Sequence, residues 1–203
     1  MRPSRTTAAT AATAWIAAAL LAAAGPVLAE TCYRASEGDG SLTFTFVVEG
    51  ESYEGSFERF SVEYCMRGGR PGEGRIRTEV RLASVDTGNR DRDETLEGPE
   101  FFGVDAHPAS TWRSTAIEAV EGGWRAQGRL ALNGCERDQG IEFELEPAPG
   151  EGVDAMRMHG HGTVRRKAFD VGTGDFADEA FIRDRVGVRF DLRLRRRADG
   201  EAG

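Results

Sequence analysis

The sequence predicts an all-β fold: an eight-stranded antiparallel up-and-down barrel with two long loops at one mouth. Three observations carry that prediction. Apolar residues recur at every second position over most of the chain after residue 40. Each such stretch pairs one apolar face with one charged or polar face, whereas a parallel sheet buried on both faces would show continuous apolar runs. Eight one-sided strands then need a cover, and closure into a barrel supplies it while leaving no edge exposed. Charges outside and apolar groups inside are the reverse of a membrane-spanning barrel.

The elements follow in order. Residues 1–29 read as a secretory signal. Arg2 and Arg5 precede an alanine-rich apolar stretch, and Val27-Leu28-Ala29 places small residues at the positions a signal peptidase reads. Residues 30–203 are expected to form a single domain after its removal. In the first strand Leu42, Phe44, Phe46 and Val48 alternate with Thr43 and Thr45. Over 53–66 the apolar set shifts from odd (Tyr53, Phe57) to even (Phe60, Val62, Tyr64), which predicts a bulge near Glu58-Arg59. Ile76, Val80 and Leu82 oppose Arg75, Arg77, Glu79 and Arg81. Trp124, Ala126, Leu130 and Leu132 alternate with Arg125, Gln127 and Arg129. Ile141, Phe143 and Leu145 alternate with Glu142, Glu144 and Glu146. The last strand interleaves Val186, Val188, Phe190, Leu192 and Leu194 with Arg189, Asp191 and Arg193. Stretches 111–120 and 155–165 complete the eight less regularly.

Strand parity assigns the connections. One end holds the loops 67–74, 121–123 and 147–154. The other holds 49–52, 87–110, 133–140 and 166–184, so both long loops gather at one mouth, an arrangement more often functional than spare. Parity also sorts the three cysteines. Cys32 and Cys65 fall at the same end on neighbouring strands and are expected to form a disulfide. Cys135 lies a barrel-length away, beyond the reach of such a bond.

Composition narrows the function. The chain has 203 residues, 26 Lys+Arg against 34 Asp+Glu and a net charge of -8, with 39% hydrophobic residues. That balance supports a folded core and disfavours a nucleic-acid binder, which needs a basic face to neutralise phosphates. No nucleophile elbow, zinc-protease helix or phosphate-cradling loop occurs, so no catalytic residue and no cofactor is assigned. His159 and His161 share a strand face at i, i+2, a spacing that can chelate a metal. Alternation from Met156, Met158 and Val164 turns both outward with no third ligand evident in the sequence, so no metal is expected.

The segment from Ser84 to Leu96, with Asp86-Thr87-Gly88-Asn89 and Arg92-Asp93 at its centre and Phe101-Phe102 after it, resembles the signature of the YceI-like family. Pro108–Thr115, Gly128–Gly134, Arg166 with Phe169, and Val186-Gly187 are similar to the family's later motifs. The resemblance spans roughly 41–195. Thr95, Glu100, Ala168, Asp170 and the run Asn133-Gly134-Cys135 depart from the pattern. The resemblance implies a lipocalin-like, periplasmic and non-catalytic protein that holds a polyisoprenoid or related long-chain lipid in the barrel lumen. No span of the membrane is expected after processing, and the protein is expected to be a monomer or homodimer.

The expected lumen follows from both readings. Alternation turns Phe44, Phe46, Phe60, Val80, Leu82, Trp112, Trp124, Leu130, Phe143, Met156, Met158 and Phe190 inward. The resemblance adds Phe101, Phe102 and Phe169. Gly160 and Gly162, with Ser114, Ala116 and Ala126, put small residues on the inward face and so are expected to leave volume for a ligand. Arg90, Arg92, Arg166, Lys167 and Arg183 in the two long loops are candidates to meet a head group, or to pair with Asp91, Asp93, Asp170 and Asp184 beside them. An apolar inward face is equally that of a filled core, which would make this an envelope stress or interaction protein without ligand.

Overall fold

The structure, a computed structural model, describes residues 30–148 and 154–197. The expected signal at 1–29 lies outside the described residues. Eleven strands form one antiparallel sheet: β1 (Glu30–Ser36), β2 (Gly40–Val48), β3 (Glu51–Phe57), β4 (Phe60–Arg67), β5 (Arg70–Arg81), β6 (Val85–Asp86), β7 (Ala109–Val120), β8 (Gly123–Leu132), β9 (Cys135–Pro147), β10 (Ala155–Arg165) and β11 (Arg185–Arg196). One short helix, α1 (Arg90–Glu97), lies between β6 and β7.

The sheet closes on itself because β11 pairs with β2 over Gly187–Leu192 and with β1 at Arg195 and Arg196. β1 and β2 therefore act as one barrel strand interrupted at Glu37–Asp39, and β3 and β4 as another interrupted at Glu58-Arg59. With β5 and β7–β11 these make the eight-stranded antiparallel barrel in up-and-down order, and β6 adds a two-residue ladder outside it. The first barrel strand begins a dozen residues before the visible alternation. Tyr33 and Ala35 are buried at odd positions and Phe44 and Phe46 at even ones, so the turn between them reverses the parity. At Gly40, φ is +148° and a Cβ would stand 2.0 Å from the Asp191 carbonyl oxygen, so only glycine lets β11 approach here.

The expected break at Glu58-Arg59 is present. It is held from outside the ladder: Glu58 N donates to Ser84 O (3.0 Å) and Arg59 N to Ser84 Oγ (3.0 Å). A second bulge falls between Ser114 and Ala116, and it leaves Ala116 exposed and Ile117 buried. Ala116 therefore does not face inward as expected, because the extra residue shifts the pleat by one. The loop expected over 133–140 is only the two-residue turn Asn133-Gly134, both at positive φ, as a tight hairpin requires. Residues 136–139 belong to β9 but carry no apolar alternation.

Inside the barrel the apolar groups form two clusters. Tyr33, Phe60, Tyr64, Ile76, Ala126, Phe143, Met158 and Leu194 fill the half where the chain enters β1. Tyr64 is fully buried, with its ring edge-on to Phe143 and its hydroxyl donating to Pro71 O at 3.0 Å. That end is fastened by the Cys32–Cys65 disulfide, which the parity argument predicts; Cys135 remains a free thiol. The other cluster gathers Phe44, Phe46, Leu82, Leu96, Phe101, Phe102, Phe169 and Ile182, drawing on the barrel strands and both long loops.

Candidate functional site

The half of the barrel beneath the long loops is hollow. A cavity of about 500 Å³ lies there, lined by apolar side chains with few polar groups among them. Leu42, Val80, Trp112, Leu130, Ile141 and Phe190 both line the cavity and pack against the lower core, so they form its floor. Phe44, Phe46, Val164, Val186 and Val188 make the wall. Leu96, Phe101 and Phe102 from one long loop and Phe176, Phe181 and Ile182 from the other cover its loop end.

The mouth is built by the segment Asp86–Leu96. Asp86 Oδ1 accepts from Gly88 N (2.8 Å), which sets the turn. Asn89 caps α1, its Oδ1 accepting from Arg92 N at 3.0 Å. Asp93 Oδ1 accepts from Thr87 N (2.9 Å) and Thr87 Oγ1 (2.6 Å). Arg92 then folds back: its Nε donates to Thr87 Oγ1 and its Nη2 to Thr87 O, both at 2.8 Å, with the guanidinium 5.0 Å from the Tyr53 ring centre. These bonds orient α1 so that Arg92, Thr95 and Leu96 face the cavity.

The second long loop is fastened by Arg166. Its side chain is buried, with the whole residue 3% exposed, and it donates only to backbone: Nη1 to Val171 O (2.9 Å) and Gly172 O (2.8 Å), Nη2 to Ile182 O (2.7 Å), Nε to Arg183 O (3.3 Å). One guanidinium thus joins both ends of residues 166–184. Burial pushes its pKa down, opposed by the charges of Asp184 and Glu179. Asn133 Nδ2 pins the turn between them by donating to Phe169 O and Asp170 O. Asp170 Oδ2 accepts from the Cys135 thiol at 3.4 Å, and this bond raises the thiol's pKa.

The structure divides the residues expected to face a ligand. Phe44, Phe46, Val80, Leu82, Phe101, Phe102, Trp112, Leu130, Gly162 and Phe190 border the cavity, as do Arg92 and Arg166. Phe60, Phe143 and Met158 belong to the lower core, with Trp124 and Met156 packed against it. Gly160 leaves no void, because the Phe190 ring fills its place: a Cβ there would be 2.6 Å from Phe190 Cζ. Phe169 is buried behind the mouth rather than on the cavity wall. Arg90 pairs with Glu94 (2.8 Å) and Lys167 with Glu179 (3.1 Å), both exposed and away from the cavity. Sequence reasoning missed Phe176, Phe181 and Ile182. Their one signal was large apolar residues inside an otherwise polar loop.

His159 and His161 lie on the outer wall, as alternation predicts. Their Nε2 atoms stand 3.7 Å from Glu144 and 4.0 Å from Glu142. Glu144, Glu146 and His159 bring ligand atoms within 4.8 Å of one another, a spacing that can hold an ion. Arg157, 3.8 Å from Glu146 and bound to Asp191 at 2.5 Å, already supplies a positive charge to this patch.

The model of the YceI-like domain matches residues 33–194. The chain belongs to the YceI-like family. A UPF0312 protein of Pectobacterium atrosepticum is 27% identical over 165 residues, covering 77% of this chain and 84% of the relative. A UPF0312 protein of Yersinia pestis is 27% identical over 124 residues, covering 59% of this chain and 63% of the relative. Among solved structures, BcnA of Burkholderia cenocepacia superposes with a TM-score of 0.71 at 21% identity, covering 78% of this chain and 98% of that one. A polyisoprenoid binding domain from Saccharophagus degradans, described as implicated in plant cell wall breakdown, gives 0.56 at 14% identity, covering 83% and 98%. At these identities the likeness to solved structures is one of fold. The YceI-like barrel of this chain is thus hollow at the end covered by the long loops and packed at the other.

Proposed function

We propose that this YceI-like protein is an exported, non-catalytic carrier that holds the tail of a long-chain lipid, a polyisoprenoid or similar amphiphile, in the barrel cavity. The observation that carries the reading is the cavity of about 500 Å³, walled by apolar side chains of the barrel strands and of both long loops. Burial drives the binding: at ~0.8 kcal/mol per methylene, about ten carbons supply on the order of 8 kcal/mol to set against the cost of association, without any charged anchor. The description of the Saccharophagus degradans domain as polyisoprenoid binding supports the ligand class. The arginine-led apolar stretch at residues 1–29 and the Cys32–Cys65 disulfide support export to an oxidising compartment such as the periplasm. Arg92 is the head-group candidate at the cavity, since Arg166, which also borders it, commits its hydrogen bonds to loop carbonyls. The protein acts as a monomer or homodimer.

A fluorescent fatty-acid probe tests the reading. The probe should brighten on mixing with the protein, and a competing lipid should displace it. Gly162→Trp, which places an indole inside the cavity wall, should lower uptake at least tenfold. Equal uptake by a folded Gly162→Trp protein would contradict this use of the cavity.

A further inference from the structure

The proposed carrier role, on which this inference rests, leaves open how much of a lipid enters. We infer that Trp112 and Phe190 form a floor that sets how much of a tail enters the barrel, and that the remainder of any longer chain stays outside. Both side chains line the cavity and pack against the apolar cluster beneath it.

The floor that sets this limit is fixed in place rather than merely filled. Trp112 lies across Gly128, where a Cβ would stand 2.6 Å from its indole, and its Nε1 donates to Gln139 O at 3.0 Å. Phe190 lies across Gly160 in the same way, against Phe143. Each ring is seated in the slot of a missing side chain, so a tail pressing down from the cavity meets a ring backed by packed atoms. Beneath them Phe143, Tyr64 and Met158 are 3%, 0% and 2% exposed, and the Tyr64 hydroxyl is tied to Pro71 O. A tail pushing past the floor would have to displace this layer and leave the Tyr64 hydroxyl buried without its partner, which is unfavourable. Trp112 and Phe190 are therefore the residues that determine tail length.

Displacement of the fluorescent probe by saturated fatty acids of about 8 to 24 carbons, extended by isoprenoid alcohols of about 10 to 40, tests this. Affinity should rise about tenfold per two carbons at first and level off once the tail reaches the floor. In Phe190→Ala or Trp112→Ala, checked for an unchanged far-ultraviolet spectrum, the plateau should move to longer chains. If either variant fails to fold, Phe190→Leu, which shortens the side chain without emptying the site, should move it by a smaller step. Affinity still climbing at the longest chains of both series would overturn the length limit and leave the carrier reading intact. A plateau unmoved in folded variants would overturn the assignment of the floor. Absence of binding at every length would overturn the carrier reading itself.

Discussion

The ring of Phe190 occupies the space that Gly160 leaves open, with Phe190 Cζ only 2.6 Å from where a Cβ at 160 would stand. The same relation joins Gly128 to Trp112 and Gly55 to Phe44. Inward glycines in this barrel mostly seat a neighbouring aromatic ring, and of the Gly160/Gly162 pair only Gly162 borders the cavity. A Cβ at 160 would also stand 2.2 Å from the Glu142 carbonyl oxygen, so Gly160→Ala should destabilise by about 1–3 kcal/mol through overpacking. Gly162→Ala meets its nearest atoms at 3.2 Å and should be milder. Urea denaturation of the two variants checks the order.

The Cys32–Cys65 bond closes a loop of sequence separation 33. By loop entropy it contributes about 3–4 kcal/mol, and Cys32→Ser with Cys65→Ser should lose most of that. Reductant should lower the melting temperature of the native chain and leave that of the double variant unchanged.

Arg166 serves four backbone carbonyls, those of Val171, Gly172 and Ile182 on buried residues. Arg166→Met should cost about 2–4 kcal/mol and speed hydrogen exchange at the amides of residues 166–184 before those of the barrel strands. Arg166→Lys should recover only part, because a compact ammonium does not span the carbonyls of Val171 and Ile182 as a planar fork does.

Asn89 is the cap of the helix at the mouth. Asn89→Ala should lower stability by about 1 kcal/mol. It should also quicken release of a bound probe, since α1 supplies Leu96 to the cover at the loop end of the cavity. Stopped-flow release rates measure the second effect separately from the first.

Hydrogen bonds from Arg157 hold the Asp191 carboxyl below its ordinary range, and those from Arg125 do the same for Glu142. A depressed carboxyl contributes stability that is complete above the unfolded value, about 4, and is lost as pH falls through the folded one. Asp191→Asn should flatten the acid limb of the stability curve below about pH 4 and leave neutral stability little changed, since the pair is exposed and screened. Melting temperatures across that range read the slope.

The barrel was legible because each of its strands has one dry face, and period-two alternation records that directly. The hollow was not, because alternation reports which way a side chain points and not what lies opposite it. Phe143 and Phe190 both point inward, yet Phe190 borders the cavity and Phe143 lies beneath it. Ala116 escaped the pattern because a bulge reversed its face, and β1 because the turn at Glu37–Asp39 reversed the parity around it. Phe176, Phe181 and Ile182 escaped because loops carry no period. Arg166 stood out in the sequence as a charge near the mouth. Only the fold shows that its hydrogen bonds are spent on the loop's own backbone.

Native mass spectrometry of the protein purified from the cells that make it asks most directly whether the chamber under α1 is occupied. A bound lipid that leaves on gentle activation, and is depleted in Gly162→Trp, is the result expected of a carrier. A bare polypeptide mass, together with failure to take up any added long-chain lipid, would contradict it.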